Sequence, residues 1–301
     1  MWTAHRNDAD ISSLRRGGHS MQELTEQSPF LATDQAGAYR RPEGTRFLLR
    51  AESDLGRLVG DPALAREWAK KQHQLMRWTR DDAMFNEAEV SFNHAMYERF
   101  FAVRGPLTGQ VLDVGGGWGL FRQWWSASDG ECFVVHDPGS ERFMAPPPPT
   151  VLRIFAAGLA RPVWFVEGYG EQMPYQDGRY DLVMIAAALD HCADPARVMC
   201  ECRRVLKSCG RLIIIQGFDP EHGEAPREGT DLYSRLKRVL SDPRRLYRAI
   251  KQRIFHRGEP HIHHFTRESL NRLISEGGFT ESTETVLNVT HGVSVFEAIR
   301  S

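Results

Sequence analysis

Near residue 113 the chain carries a run whose residue types suit one purpose, close approach of main chain to a ligand. Val111-Leu-Asp113-Val-Gly115-Gly-Gly117-Trp-Gly119 spaces an acid and three glycines as D-x-G-x-G-x-G. Glycine there removes the Cβ that would keep a ligand at a distance. The spacing also argues against two ligand classes. A dinucleotide turn needs G-x-G-x-x-G/A, and the sixth position from Gly115 is Leu120. A triphosphate loop needs Gly-Lys-Ser/Thr after its glycines, and none follows here. A second group, His256, His261, His263 and His264, has residue types that could bind metal or form a lid with one imidazole facing substrate. No carboxylate stands at ligand spacing from it, so the reading is structure or substrate contact and no metal. The five cysteines, Cys132, Cys192, Cys200, Cys202 and Cys209, include no C-x-x-C pair and read as reduced thiols.

The elements that must hold the glycine turn follow from hydropathy. From residue 110 short apolar runs alternate with amphipathic stretches. Strands are predicted at 110–114, 131–136, 162–166, 180–186 and 211–216, and helices at 119–127, 151–160 and 194–206. Continuous apolar strands separated by helices mean a parallel sheet covered on both faces. Two more strands, near 282–288 and 293–299, are joined by so few residues that they must form an antiparallel hairpin. The predicted class is α/β: a doubly wound, mostly parallel seven-stranded sheet with a C-terminal antiparallel hairpin. N-terminal helices and a helical lid are added to it.

Residues 1–45 are polar, contain Gly17, Gly18, Pro29 and Pro42, and read as disordered. Residues 46–105 read as a helical extension. Asp61-Pro62 forms an N-cap and first turn, Leu64, Trp68 and Leu75 lie near one helix face, and a second helix starts near Asp81 and stops at Gly105-Pro106. Residues 106–301 form the main domain. Within it, 219–262 reads as a lid of two short amphipathic helices. Nine Lys or Arg lie between Arg235 and Arg257 against the single acid Asp242. Pro146 to Pro149 is a stiff spacer.

The run 111–121 resembles motif I of the class I S-adenosylmethionine (SAM)-dependent methyltransferases, type 11 branch. Further segments in order strengthen the resemblance. Asp137, in Val-Val-His-Asp-Pro, ends the second strand, where the family has an acid for the ribose hydroxyls. Glu167-Gly-Tyr-Gly-Glu-Gln-Met-Pro-Tyr175 is similar to the segment over the adenine, although Tyr169 stands where an acid is common. Tyr180 to His191 is similar to the fourth strand and the loop after it. Val198 to Ile215 resembles R-V-L-K-P-G-G, with Ser208-Cys209 in place of Pro-Gly. Phe265 to Phe279 is similar to the last helix before the hairpin. The resemblance implies SAM as cofactor, with Asp113, Gly115, Gly117, Gly119, Asp137, Gly170, Glu171 and Ala186 around it. Asp113 could equally serve to stabilise the turn.

Methyl transfer from a sulfonium is a direct displacement that needs alignment and exclusion of water. For a hydroxyl or amine acceptor, a base that takes its proton assists the transfer. By the resemblance, His191 follows the strand whose tip faces the methyl group, so it is the candidate catalytic residue. The alternatives are a cap on the helix starting near Asp194 or a contact to substrate. His263, His264 and Tyr97 are candidate substrate contacts. For Tyr97 the alternative is core packing.

Hydrophobic content of 41%, charged content of 26% and a net charge of −1 are those of an ordinary globular chain and argue against wholesale nucleic-acid binding. The first twenty residues lack a signal-peptide core, and no apolar run reaches membrane length, so the expected location is cytoplasmic. The basic stretch 235–257 reads first as a solvated face. Its other readings are peripheral membrane contact and a phosphate-bearing acceptor or RNA. Together these features predict a SAM-dependent O- or N-methyltransferase acting on a small-molecule or saccharide-type acceptor in natural-product or polysaccharide biosynthesis. An RNA or protein methyltransferase is the second reading, and a non-catalytic SAM-fold scaffold the third. Oligomeric state is not legible.

Overall fold

The computed structural model describes residues 21–24, 45–50, 60–78, 85–139, 143, 146–218, 261–289 and 292–301. The lid expected over 219–262 therefore lies, except for its last two residues, outside the described part, as does His256. Five parallel strands form the centre: β3 (Val111–Val114), β4 (Phe133–His136), β5 (Trp164–Val166), β6 (Tyr180–Ala186) and β7 (Leu206–Gly217). The hairpin β8 (Phe279–Asn288) and β9 (Val293–Arg300) adds to β7 through antiparallel β9. These are the seven strands that the hydropathy predicts.

Two more strands extend the sheet at its other edge. β2 (Arg46–Arg50) runs parallel to β5, and β1 (Met21–Leu24) pairs with β2 in antiparallel fashion. This corrects two expectations. The segment expected to be disordered contributes β1, and the extension expected to be helical begins with a strand. The apolar run Phe47-Leu-Leu49 is too short to classify in isolation, and it is the open edge of β5 that gives these residues a partner. The order is β1-β2-β5-β4-β3-β6-β7-β9-β8. The chain moves outward from β3 to β5 and then returns to the other side of β3 as β6. Such a reversal opens a crevice at the carboxyl ends of the strands.

Helices cover both faces. α1 (Pro62–Trp78) starts where the Asp61 carboxylate accepts the Ala63 and Leu64 N–H groups at 2.8 and 3.2 Å. α2 (Glu87–Arg104) starts later than the sequence suggests, because Asn86 supplies its cap at 3.0 Å to the Glu89 N–H. The predicted 119–127 helix is only a 3-10 segment, Leu120–Trp124, and 151–160 divides into α3 (Pro149–Ile154) and α4 (Ala156–Leu159). α5 (Pro195–Val205) and α6 (Arg267–Glu276) complete the set, α6 under the capping box of Thr266 and Ser269. Alternation along the strands separates two cores. Leu112, Val114, Val183 and Ile185 pack with Val198, Met199 and Cys202 of α5 on one face. Val111, Val135 and Met184 pack with Phe100 and Phe101 of α2 on the other. In the Ser208-Cys209 turn, Cys209 takes φ +61°, a left-handed conformation that glycine adopts without strain.

Arg122 is fully buried, and its guanidinium meets main-chain carbonyls. Nε donates to Gly158 O and Arg161 O, Nη1 to Trp118 O and Gly119 O, and Nη2 to Leu159 O. It ties the end of the glycine turn to α4. Gly119 belongs to this packing: its φ is +65°, and an added Cβ would lie 2.7 Å from Val135 Cγ2 and 2.9 Å from Arg122 Nη1. Gly119→Ala is expected to destabilise the protein by about 2–4 kcal/mol, from left-handed strain plus overpacking. Gly130→Ala, at φ +84° with nothing within 4 Å of the added carbon, is expected to cost about 1–2 kcal/mol from strain alone. Urea midpoints of the two variants check the difference, and equal losses would refute the packing role of Gly119.

Candidate active site

The glycine turn leaves β3 at the crevice where β3 and β6 end. Gly115, at φ +70°, donates its N–H to His136 O at 2.8 Å, and an added Cβ would sit 2.4 Å from Ala188 Cβ. Only glycine allows the loops after β3 and β6 to come this close. Gly117, at φ +54°, donates its N–H to Asp137 Oδ2 at 3.1 Å, and the Gly139 N–H reaches Oδ1 at 2.6 Å. Asp137 therefore fastens the turn as well as facing the pocket. Each of its oxygens keeps acceptor capacity for a further donor. Burial pushes its carboxyl upward, and the two N–H donors oppose that rise.

Asp113 lies beneath the turn, fully buried, and neither of its oxygens has a hydrogen-bond partner among the described residues. Burial raises its pKa well above the carboxylate range, the negative charge of Asp137 raises it further, and Arg122 lowers it in part. A carboxyl in this condition is neutralised either by a proton or by a cationic ligand. Glu171, 3% exposed, accepts the Ala193 N–H at 2.7 Å and the Asp194 N–H at 3.1 Å, which fixes the 167–175 segment to the start of α5. Burial raises its carboxyl as well, against those N–H groups.

One pocket joins these parts. Gly115, Asp137, Gly170, Glu171 and His191 line it, as the sequence reading expected of them. The other candidates are placed elsewhere. Gly117 sits beside the Phe143 ring, 3.3 Å from where its Cβ would be, and Gly119 is a packing residue. Ala186 is still in β6; the wall is formed instead by Ala187 and Ala188, where the chain leaves the strand and Ala187 takes φ +48°. Tyr97 packs its ring against Phe121 and Trp124 at centroid distances of 5.0 and 5.9 Å in the core under α2. Burial pushes its hydroxyl up to about 12, and Tyr97 is not among the residues that line the pocket. His264 is exposed and His263 lies beside Phe265; neither lines the pocket.

The sequence reading missed α1 as a wall. Trp68, Gln72 and Leu75 face the pocket. Trp68 Nε1 and Gln72 Nε2 both donate to His191 O, at 2.9 and 3.1 Å, and the Trp68 ring meets Tyr169 edge-on at 5.1 Å. The apolar face through Leu64, Trp68 and Leu75 was the available signal; what it covered was not readable. His136 was missed too. It is fully buried, with Nε2 at 3.0 Å from Tyr169 O and Nδ1 at 3.2 Å from the Tyr175 hydroxyl. A carbonyl only accepts, so Nε2 carries the proton.

The histidine group also differs from its reading. A carboxylate does join it, from seventy residues away in sequence. Asp190 brings its oxygens to 3.9 Å from His191 Nε2 and 3.7 Å from His261 Nε2, and the two rings stack at 4.7 Å. Among the described residues, no helix is long and apolar enough to cross a membrane.

Residues 112–214 match the methyltransferase-domain family. The ubiquinone/menaquinone biosynthesis C-methyltransferase UbiE of Shewanella sp. (strain ANA-3) is 28% identical over 207 residues, 66% of this chain and 78% of that protein. UbiE of Pseudoalteromonas translucida is 26% identical over 141 residues, 45% and 52% of the two chains. Among solved structures, a SAM-dependent methyltransferase from Thermotoga maritima aligns at a TM-score of 0.44 and 19% identity, covering 77% of this chain and 100% of that one. One from Aquifex aeolicus aligns at 0.41 and 14% identity, covering 68% and 89%. The family match runs from inside β3 to inside β7 and so takes in the glycine turn, Asp137, the 167–175 segment and the loop after β6. The segment that carries the glycine turn and the loops of the pocket is thus a methyltransferase domain.

Proposed function

We propose that this protein transfers the methyl group of SAM to a small-molecule acceptor, with the cofactor in the pocket between the glycine turn, Asp137, residues 169–171 and residues 187–192. The observation that carries this placement is the charge of the site. Three carboxyls are buried around the turn, Asp113 with both oxygens unsatisfied among the described residues, Asp137 and Glu171, whereas the buried Arg122 guanidinium behind the turn is taken up by main-chain carbonyls. Such a site favours a ligand with cationic centres and a vicinal diol and repels phosphate. SAM has both, and it supplies a methyl group on a sulfonium, which makes the transfer a direct displacement.

The chain's own residues align and enclose. Asp113 neutralises positive charge from beneath the turn. Asp137 accepts from the ribose hydroxyls with the lone pairs left by Gly117 and Gly139. Gly170 and Tyr169, with Trp68 against Tyr169, cover the adenine side. His191 faces the acceptor side, its main chain pinned by Trp68 and Gln72. The relatives' names, which place them in quinone biosynthesis, support a small acceptor over RNA or protein. They also add carbon to the oxygen and nitrogen that the sequence reading considered as receiving atoms. A saccharide-type acceptor remains within this proposal.

Three outcomes test it. Asp137→Asn is expected to weaken SAM binding about tenfold to a hundredfold, as charge-assisted hydrogen bonds of about 1.5–3 kcal/mol are lost; unchanged affinity by calorimetry would remove Asp137 from the site. Asp113→Asn is expected to act with opposite signs on ligand-free stability and on SAM affinity, raising the first and lowering the second. A carboxylate whose folded pKa is raised makes the ligand-free protein more stable as pH falls through that pKa towards the unfolded value. The variant should lose that part of the pH dependence in urea midpoints. His191→Ala is expected to lower kcat by about 10²–10⁴-fold, the range for a group acting on the acceptor's proton, with little change in SAM affinity. A tenfold loss of SAM affinity would put His191 in the cofactor site instead.

A further inference from the structure

The Asp190, His191 and His261 cluster lies at the acceptor side of the pocket, and three features distinguish it from a chance meeting of polar side chains. The first is convergence. Both imidazoles turn Nε2 toward the same carboxylate, and one ligand atom from each of the three residues lies within 4.8 Å of the others. Two ligands on one zinc ion can be at most about 4.2 Å apart, twice the usual metal–ligand distance of 2.0–2.2 Å. The carboxylate meets that limit with one oxygen toward each imidazole, Oδ1 at 3.9 Å from His191 Nε2 and Oδ2 at 3.7 Å from His261 Nε2.

The second is an unsatisfied acceptor. Asp190 is 8% exposed, and its Oδ1 is buried with no hydrogen-bond partner among the described residues. A buried carboxylate oxygen left in this state is costly unless a cation completes it. Its Oδ2 accepts from Gln216 Nε2 at 2.9 Å, a contact that sets the plane of the carboxylate. Outer partners of this kind orient metal-ligating carboxylates.

The third is a rigid frame. Asp190 O accepts the N–H groups of Ile262 and His263 at 2.9 and 3.1 Å, so the loop after β6 and the segment before α6 are joined at the cluster itself. Lys71 Nζ donates to His261 O, and Trp68 and Gln72 donate to His191 O. α1 thereby fixes the backbone of both histidines.

We propose that Asp190, His191 and His261 bind one zinc-class divalent cation. Two imidazoles and a carboxylate are a ligand set that leaves coordination positions open. Its role rests on the acceptor lying on the His191 side, as placed above. The cation acts there as a Lewis acid on an acceptor oxygen, and His191 then acts on the acceptor's proton through the ion it holds and does not take that proton itself. The oxygen gives its proton to water, and the electron pair it retains, on oxygen or on a conjugated carbon, forms the bond to the methyl carbon. The sulfur–methyl bond breaks with its pair left on sulfur, which becomes a neutral thioether.

The test uses the full chain treated with chelator and titrated with Co²⁺, a spectroscopic stand-in for Zn²⁺. The expected result is one equivalent bound per chain, with visible absorption that Zn²⁺ abolishes. Binding should be at least tenfold weaker in His261→Ala and in Asp190→Asn, and unchanged in His73→Ala, an exposed histidine of α1. Asp190 also holds Gln216, so His261→Ala, whose side chain is 36% exposed, keeps the test valid if Asp190→Asn folds poorly. No bound Co²⁺, or binding that His261→Ala leaves intact, would overturn the site. Calorimetry with SAM on the same chelated protein separates the two readings. SAM binding without Co²⁺ binding defeats this inference alone. Co²⁺ binding at the site without SAM binding upholds it and defeats the proposed cofactor pocket.

Discussion

A guanidinium sealed inside a protein must be given acceptors in every direction, and Arg122 finds them in five carbonyls of two separate segments. Those carbonyls lie at the end of the glycine turn and around α4. The turn is thus held from behind by a charge that can neither be deprotonated nor move without leaving the carbonyls unpaired. From in front, Asp137 holds it through the Gly117 N–H. Between these anchors the main chain keeps positive φ at Gly115, Gly117 and Gly119. Arg122 also lowers the pKa of Asp113, so the group that fixes the turn also moderates the electrostatics of the site beneath it.

The pocket that results is held together largely by acids on main-chain amides. Asp137 takes Gly117 and Gly139, Glu171 takes Ala193 and Asp194, and Asp190 gives its carbonyl to Ile262 and His263. All but the Gly139 contact join segments that follow different strands. The crevice formed by the reversal of strand order is therefore closed by polar contacts at its rim, and the apolar cores lie below on either face of the sheet. The same groups that shape the pocket are those left with spare acceptor capacity in it.

The central strands were legible because parallel strands buried on both faces are written as continuous apolar runs, as in Tyr180–Ala186. The glycine turn was legible because its residue types are demanded by backbone conformation. What escaped was whatever depends on tertiary partners. Arg122 reads as a surface residue of a helix until its carbonyls are assembled around it. β2 carries too few residues to declare itself without the edge of β5. Tyr97 could be taken for either a pocket or a core residue, since a tyrosine ring serves both. Asp190 stands seventy residues from His261 in sequence, so spacing alone could not bring a carboxylate to the histidines. Ala186 missed the pocket wall because the side that a residue presents changes at the end of a strand, and that end could not be read to one residue.

α1 grips the site through carbonyl oxygens: Trp68 and Gln72 on His191 O, and Lys71 on His261 O. A carbonyl is the same whatever side chain its residue carries. The helix therefore recognises the path of the two loops and is indifferent to the identity of positions 191 and 261. Those positions can be exchanged over evolutionary time without undocking the helix that closes over them. A scaffold with this property can diversify the chemistry of its acceptor side while inheriting the enclosure unchanged.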